Sequence, residues 1–115
     1  MSKKVTIYHN PRCSKSRKTL DLLHAHGIEP EVIEYLKDPP TVKALGDLSK
    51  KLGLSPQEMV RKKDCAELEL PDNLTPQQYF RQIVQHPRLL ERPIVVCGKR
   101  ARIGRPPENV LKLFD

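Results

Sequence analysis

Residues 5–20 read VTIYHNPRCSKSRKTL, and the fold follows from how that stretch divides. Val5 to Tyr8 is β-branched and aromatic, as a strand prefers, and Asn10-Pro11 is a turn signal that halts it. From Ser14 the residues favour a helix, with Leu20, Leu22 and Leu23 as its apolar contacts and Gly27 as its stop, so a helix is expected over Ser14 to His26. Cys13 falls at the join, just before the helix or in its first turn. Unpaired backbone N–H groups and the positive end of the helix dipole gather there and favour thiolate over thiol. The first eighteen residues contain Lys3, Lys4, Arg12, Lys15, Arg17 and Lys18 and no acid. A thiolate in that field is nucleophilic, and the same field attracts an oxyanion. Ser16, three residues on, is placed to hydrogen-bond the sulfur from the same turn, as the second cysteine of a C-x-x-C would. His9 is the one histidine within local reach of Cys13.

Outward from this stretch, Glu31 to Leu36 (EVIEYL) alternates in the strand manner, which completes βαβ and implies two parallel strands. Asp38-Pro39-Pro40 breaks the chain. Thr41 then caps a helix over Val42 to Leu52, with apolar residues at 42, 45, 48 and 52. Ser55-Pro56 with Glu58 forms a capping box that opens a short helix through Arg61. Lys62 to Asn73 is mixed and polar, and irregular structure is expected there. Thr75-Pro76 starts another helix, with Phe80, Ile83 and Val84 on one face, which His86-Pro87 ends. Pro93 to Val96 is a strand by composition, Cys97 to Arg100 a turn, Ala101 to Ile103 the partner strand, and Glu108 to Phe114 a final amphipathic helix. The order is βαβ, a helical insertion at about 39–88, then ββα. It describes an α/β domain spanning residues 1–115, with a small mixed sheet flanked by helices.

The totals bound the function. Hydrophobic residues make up 37% of the 115 and charged residues 30%, the balance of a globular chain. The net charge of +7 is unevenly spread: residues 1–18 and 87–115 hold the positive surplus, and the middle of the chain does not. If the two ends meet in space, they make a local anion-attracting pocket rather than a basic stripe. Two Phe, three Tyr and no Trp offer few stacking platforms, so nucleic-acid binding is not expected. Cys13, Cys65 and Cys97 form no C-x-x-C and leave one unpaired in any scheme, which argues for a reducing compartment. The residues after Lys3-Lys4 lack the apolar run of a signal peptide, and no window approaches the ~20 apolar residues of a membrane span. A cytoplasmic monomer without membrane association is expected.

Other cysteine chemistries fit poorly. The phosphatase loop needs C-x5-R, and the residue six after Cys13 is Thr19; Arg17 stands at C-x3-R instead. The three cysteines are over thirty residues apart, and His24 and His26 point two ways from one helix, so no metal site is expected. Cys65 and Cys97 are read as bystanders, and His86 as a helix-end residue. Arg61, Arg92 and Arg105 each fall at an element boundary. Three guanidiniums around a thiolate would hold a tetrahedral oxyanion through forked hydrogen bonds. A strand opening at Pro93 beside the first strand would bring Arg92 near Cys13; convergence of all three is not readable from the chain alone.

Taken together, YHNPRCSKSR at 8–17, RK at 61–62, QHP at 85–87, ERPIVV at 91–96 and RIGRPPE at 102–108 resemble the glutaredoxin-linked arsenate reductase family, the ArsC-like branch of the thioredoxin superfamily. The resemblance covers nearly the whole chain and implies a thioredoxin-like fold with a helical insertion. It implies that Cys13 is the catalytic cysteine, that Arg61, Arg92 and Arg105 bind the oxyanion, and that His9 and Ser16 help set the thiolate, with Asn10 and Arg17 in the same loop. It also implies that Pro93 is a cis-proline facing the cysteine. The implied reaction is reduction of arsenate to arsenite through a covalent adduct on Cys13, with glutathione as co-substrate, glutaredoxin as partner and no tightly bound cofactor. Two alternatives share the fold. A monothiol glutaredoxin-like thiol-disulfide oxidoreductase would need Cys13 and Ser16 but not three arginines. An Spx-like redox-responsive transcription regulator would use a C-x-x-C switch, where this chain has Ser16.

Overall fold

The computed structural model describes residues 4–114; Met1 to Lys3, and with them one member of the N-terminal basic pair, lie outside the described residues, as does Asp115. The chain forms two compact units, one of residues 1–38 with 92–115 and the other of residues 39–91.

The first unit is α/β. Strand β1 (Val5–Tyr8) is followed by helix α1 (Ser14–Ala25) and strand β2 (Glu31–Ile33), and the chain returns as the hairpin β3 (Ile94–Cys97) and β4 (Arg100–Ile103). The four strands lie in the order β2-β1-β3-β4. β1 runs parallel to β2 and antiparallel to β3, and β4 runs antiparallel to β3, so the sheet is mixed, as expected. The interior strands are the apolar ones: Ile94 and Val95 point to opposite faces of β3 and both are fully buried. The edge strands carry Glu31 and Arg100, whose charges discourage further pairing. Gly98 opens the two-residue hairpin connection at φ +62°, a backbone state that glycine takes without steric cost. Ile7, Leu23, Val95, Cys97, Val110 and Leu113 make the core that joins the sheet to α1 and the closing segment.

That closing segment corrects one expectation. Pro107–Phe114 is a 3-10 helix rather than an α-helix, and its buried residues Val110 and Leu113, three apart, share a face in that tighter winding. A second correction is at β2, which has three residues and not six. The Glu34 carbonyl accepts from the N–H groups of Lys37 and Asp38, so the chain turns there, and Tyr35 is fully buried.

The second unit is helical: α2 (Val42–Leu52), α3 (Pro56–Met59), α4 (Lys62–Glu67), α5 (Pro76–Gln85) and a 3-10 turn at Pro87–Leu89. Leu45, Met59, Ile83, Leu89 and Leu90 are fully buried there, with Leu48 and Phe80 nearly so. The capping residues act as read: Thr41 accepts from the Ala44 N–H, and Ser55 and Thr75 each complete a reciprocal capping box. Two expectations fail here. α3 stops at Met59, because Val60 is extended and bridges Leu90. The stretch expected to be irregular instead opens with α4, for which Arg61 is the N-cap residue.

Candidate active site

The sheet register positions the site. Tyr8 faces Ile94 across β1 and β3, and Ile94 faces Ile103 across β3 and β4. One step past those pairs, Pro93 and Gly104 stand opposite each other, and the Gly104 N–H donates to the Pro93 carbonyl at 2.9 Å. One step further lie Arg92 and Arg105, and the Arg105 Nε donates to the Arg92 carbonyl at 3.2 Å. Both arginines therefore arrive where β1 ends and the Cys13 loop begins. The Arg92–Pro93 peptide is cis, as the resemblance implies; the Arg105–Pro106 peptide is also cis.

Cys13 is the N-cap residue of α1, with extended backbone angles of φ −93° and ψ 122°. Its thiol does not close the helix as a conventional side-chain cap would. The backbone N–H groups of Ser16 and Lys15 and the guanidinium of Arg92 nevertheless favour the thiolate electrostatically. Partial burial pushes the thiol pKa up, but the two amides and Arg92 outweigh it, and the net displacement is below the ordinary thiol value. Cys65 moves the other way, pushed up by burial and by the neighbouring Asp64 carboxylate. Cys97 is buried in the core of the first unit.

The loop is held from beneath. Asn10 accepts the Arg12 N–H on its side-chain oxygen at 3.0 Å and the Cys13 N–H on its carbonyl at 3.0 Å. Arg17 is exposed and donates to the Pro11 carbonyl at 2.8 Å, so it braces the loop from outside. Ser16 is fully buried, and its hydroxyl oxygen accepts the Asn10 N–H at 3.0 Å and lies 2.6 Å from His9 Nδ1. His9 is also buried, and desolvation, aided by Arg17 and opposed by Glu34 and Asp21, holds it below the ordinary imidazole pKa. His9 Nδ1 and the Ser16 hydroxyl are hydrogen-bonded, with the donor set by the tautomer of the neutral ring. Ser16 thus acts on the thiolate through its backbone N–H, and its hydroxyl joins His9 to the Asn10 N–H.

Cys13, His9, Asn10, Ser16, Arg17, Arg92 and Arg105 thus belong to one unit. Arg61 belongs to the other, where Nη1 donates to Asp64 Oδ2 at 3.0 Å and Nε lies 3.9 Å from Glu91 Oε1. The sequence reading missed Asn109. Its side chain donates to the Ile103 carbonyl at 2.9 Å and accepts from Arg102 at 3.3 Å, while its N–H donates to the Pro106 carbonyl at 2.9 Å, so it bridges the segment that carries Arg105. The only signal for it was an asparagine one turn past Gly104-Arg105-Pro106.

The model of the ArsC family matches residues 8–113. This chain belongs to the ArsC family. Among its relatives, the Escherichia coli K12 protein YfgD, described as uncharacterised, is 51% identical over 98% of each chain. An arsenate reductase of Neisseria meningitidis serogroup A is 48% identical over 92% of this chain and 94% of the relative. The solved structure of an arsenate reductase from Vibrio cholerae superposes with a TM-score of 0.91 at 47% identity, covering 97% of this chain and 98% of the other. The thioredoxin-like fold is therefore the fold of this ArsC-family chain. Among the described residues no cluster of His, Cys, Asp or Glu could hold a metal ion, and no helix is long and apolar enough to cross a membrane.

Proposed function

We propose that this ArsC-family protein is an arsenate reductase that works through a covalent adduct on Cys13, with glutathione and glutaredoxin as reductants. One observation carries the reading: the sheet register brings Arg92 and Arg105, joined by a hydrogen bond from Arg105 Nε to the Arg92 carbonyl, to the end of β1 where Cys13 opens α1, and Arg92 with the α1 amides favours the Cys13 thiolate.

In this reading the Cys13 thiolate attacks arsenic, and an arsenate oxygen leaves as water after protonation, giving a sulfur–arsenic(V) bond. Arg92 and Arg105 neutralise the oxyanion while the bond forms, and their fixed placement spares the reorganisation that water would need. The sulfur of glutathione then bonds to the Cys13 sulfur. The electron pair of the sulfur–arsenic bond passes to arsenic, which leaves as arsenite. Glutaredoxin takes the glutathione, and the Cys13 thiolate returns. Each turnover oxidises two thiols to a disulfide and reduces arsenic by two electrons, so one protein cysteine suffices. Arg61 is included on the family resemblance, as the third arginine.

The test is arsenite production with glutathione and glutaredoxin, wild type beside Cys13→Ser. Arsenite formation by wild type alone supports the proposal; equal rates for the two overturn it. A glutaredoxin-like exchange of glutathione mixed disulfides also uses Cys13, and Arg105→Ala separates the two activities. Under the reductase reading that variant loses arsenate turnover and retains disulfide exchange.

A further inference from the structure

Gly104 stands where three parts of the anion site meet. Its N–H pairs with the carbonyl of Pro93, which follows Arg92, and it directly precedes Arg105. On its other side is Thr19 of α1, the helix that begins at Cys13. Thr19 is fully buried, with its hydroxyl donating to the Lys15 carbonyl at 2.8 Å and lying 3.5 Å from the Gly104 carbonyl. A Cβ on residue 104 would lie 2.8 Å from Thr19 Oγ1, 2.9 Å from Pro93 Cγ and 3.2 Å from Thr19 Cγ2. Neither neighbour is the far end of a flexible side chain: the threonine is β-branched and the proline is a ring. Gly104 carries no positive φ among the glycines that do, so its requirement is space and not backbone conformation.

We infer that Gly104, seated against Thr19, is a positioning residue: its missing side chain lets α1, which carries Cys13, and the Pro93–Arg105 edge, which carries both arginines, close to the spacing the oxyanion reaction needs. The inference rests on the reductase reading for its consequence but on the packing alone for its geometry. A methyl group at 104 has to push either Pro93, and Arg92 with it, or Thr19, and the start of α1 with it. Both movements lengthen the contact between the Arg92 guanidinium and the Cys13 sulfur. A misplacement on the order of 1 Å is enough to lower turnover by about a hundredfold.

The experiment uses Gly104→Ala, Thr19→Ala and Thr19→Ser in a Cys65→Ser background, so that Cys13 is the exposed thiol being read. Far-UV circular dichroism reports folding, and the pH profile of alkylation by iodoacetamide reports the thiolate without any arsenate. For Gly104→Ala the alkylation midpoint is expected to move up by about one pH unit, a roughly tenfold slower reaction on the acid side, with kcat/KM for arsenate down ~10- to 100-fold. Thr19→Ala takes away the helix-side surface on which Gly104 is seated, letting the spacing relax from the other side, and is expected to slow alkylation a few-fold, with Thr19→Ser, which keeps Oγ1, close to wild type. A folded Gly104→Ala protein with the wild-type alkylation profile overturns the inference. If Gly104→Ala does not fold, Thr19→Ala decides in its place, and a wild-type profile there overturns it. A wild type that alkylates as expected but makes no arsenite defeats the reductase reading and leaves this one standing.

Discussion

At Cys13 two effects oppose each other. Burial favours the neutral thiol, and the amides of Ser16 and Lys15 with the Arg92 guanidinium favour the thiolate and prevail. Because the folded pKa lies below the ordinary value of 9.0, the thiolate's contribution to stability is complete above pH 9.0 and is lost as pH falls through the folded value. The stability difference between wild type and Cys13→Ser, measured by urea unfolding, is therefore expected to grow from pH 5 to pH 9; a flat difference would mean the sulfur is not ionised in the fold. His9 has the opposite charge type. Its pKa is lowered as well, so the neutral ring contributes fully above pH 6.5 and loses that contribution as pH falls towards its folded value. Ser16 couples the two residues. Ser16→Ala would leave the Asn10 N–H and His9 Nδ1 without the buried hydroxyl that now joins them, costing about 1–3 kcal/mol. The backbone N–H at 16 survives that change. The thermal midpoint should fall by several degrees while the alkylation midpoint of Cys13 moves less than it does in Arg92→Ala, and the reverse order would place the serine hydroxyl on the sulfur.

The helices show what a sequence signals and what it conceals. α1, α2 and α4 end in the same way: a residue at or just after the C-cap takes a left-handed backbone, its N–H and the next N–H turning back to carbonyls three and five residues earlier. At α1 and α2 that residue is Gly27 (φ 74°) and Gly53 (φ 69°); the first end was legible to within a residue from its glycine, and the second from the apolar spacing that closes at Leu52. At α4 it is Glu69, at φ 56°, and with no glycine the helix was hidden in a stretch that reads as polar and mixed. Its other local support, the Arg61–Asp64 pair across the first turn, is a spacing that solvated surface charges also show. β2 failed for a different reason: alternation continued through Tyr35, but the Glu34 turn ended the pairing. The approach of Arg92 to Cys13 was recoverable because the interior strands β1 and β3 are apolar and bounded by a turn and a proline; the arrival of Arg105, the Ser16–His9 pairing and the Asn109 brace depend on register and side-chain directions that spacing does not encode. A test follows at α4. Glu69→Gly relieves a side chain from the left-handed region and is expected to stabilise the protein by about 0.5–1 kcal/mol, read as a rise in thermal midpoint. A midpoint lowered by that change would show that the Glu69 side chain does more for the fold than its backbone strain costs.

For the molecule as a whole, the division into two units sorts the charge. Residues 1–38 and 92–115 hold thirteen Lys and Arg against seven Asp and Glu, whereas residues 39–91 hold eight against seven. Nearly all of the net +7 therefore belongs to the unit that contains Cys13, as the surplus at the two chain ends suggested before any fold was known. Fields of that kind act over about 8–10 Å at physiological ionic strength and contract as salt is added, while contacts made within the site are screened far less. The two contributions separate in kinetics. Raising ionic strength from ~0.02 to ~0.5 M shortens the reach from roughly 20 Å to roughly 4 Å, so capture of a doubly charged oxyanion should weaken and KM for arsenate rise several-fold. The chemical step, governed by Arg92 and the two amides at the sulfur, should keep its kcat within about twofold. A kcat that fell in step with the rise in KM would mean that the arginine contacts themselves are open to solvent, and the preorganised site on which the proposed mechanism depends would have to be abandoned.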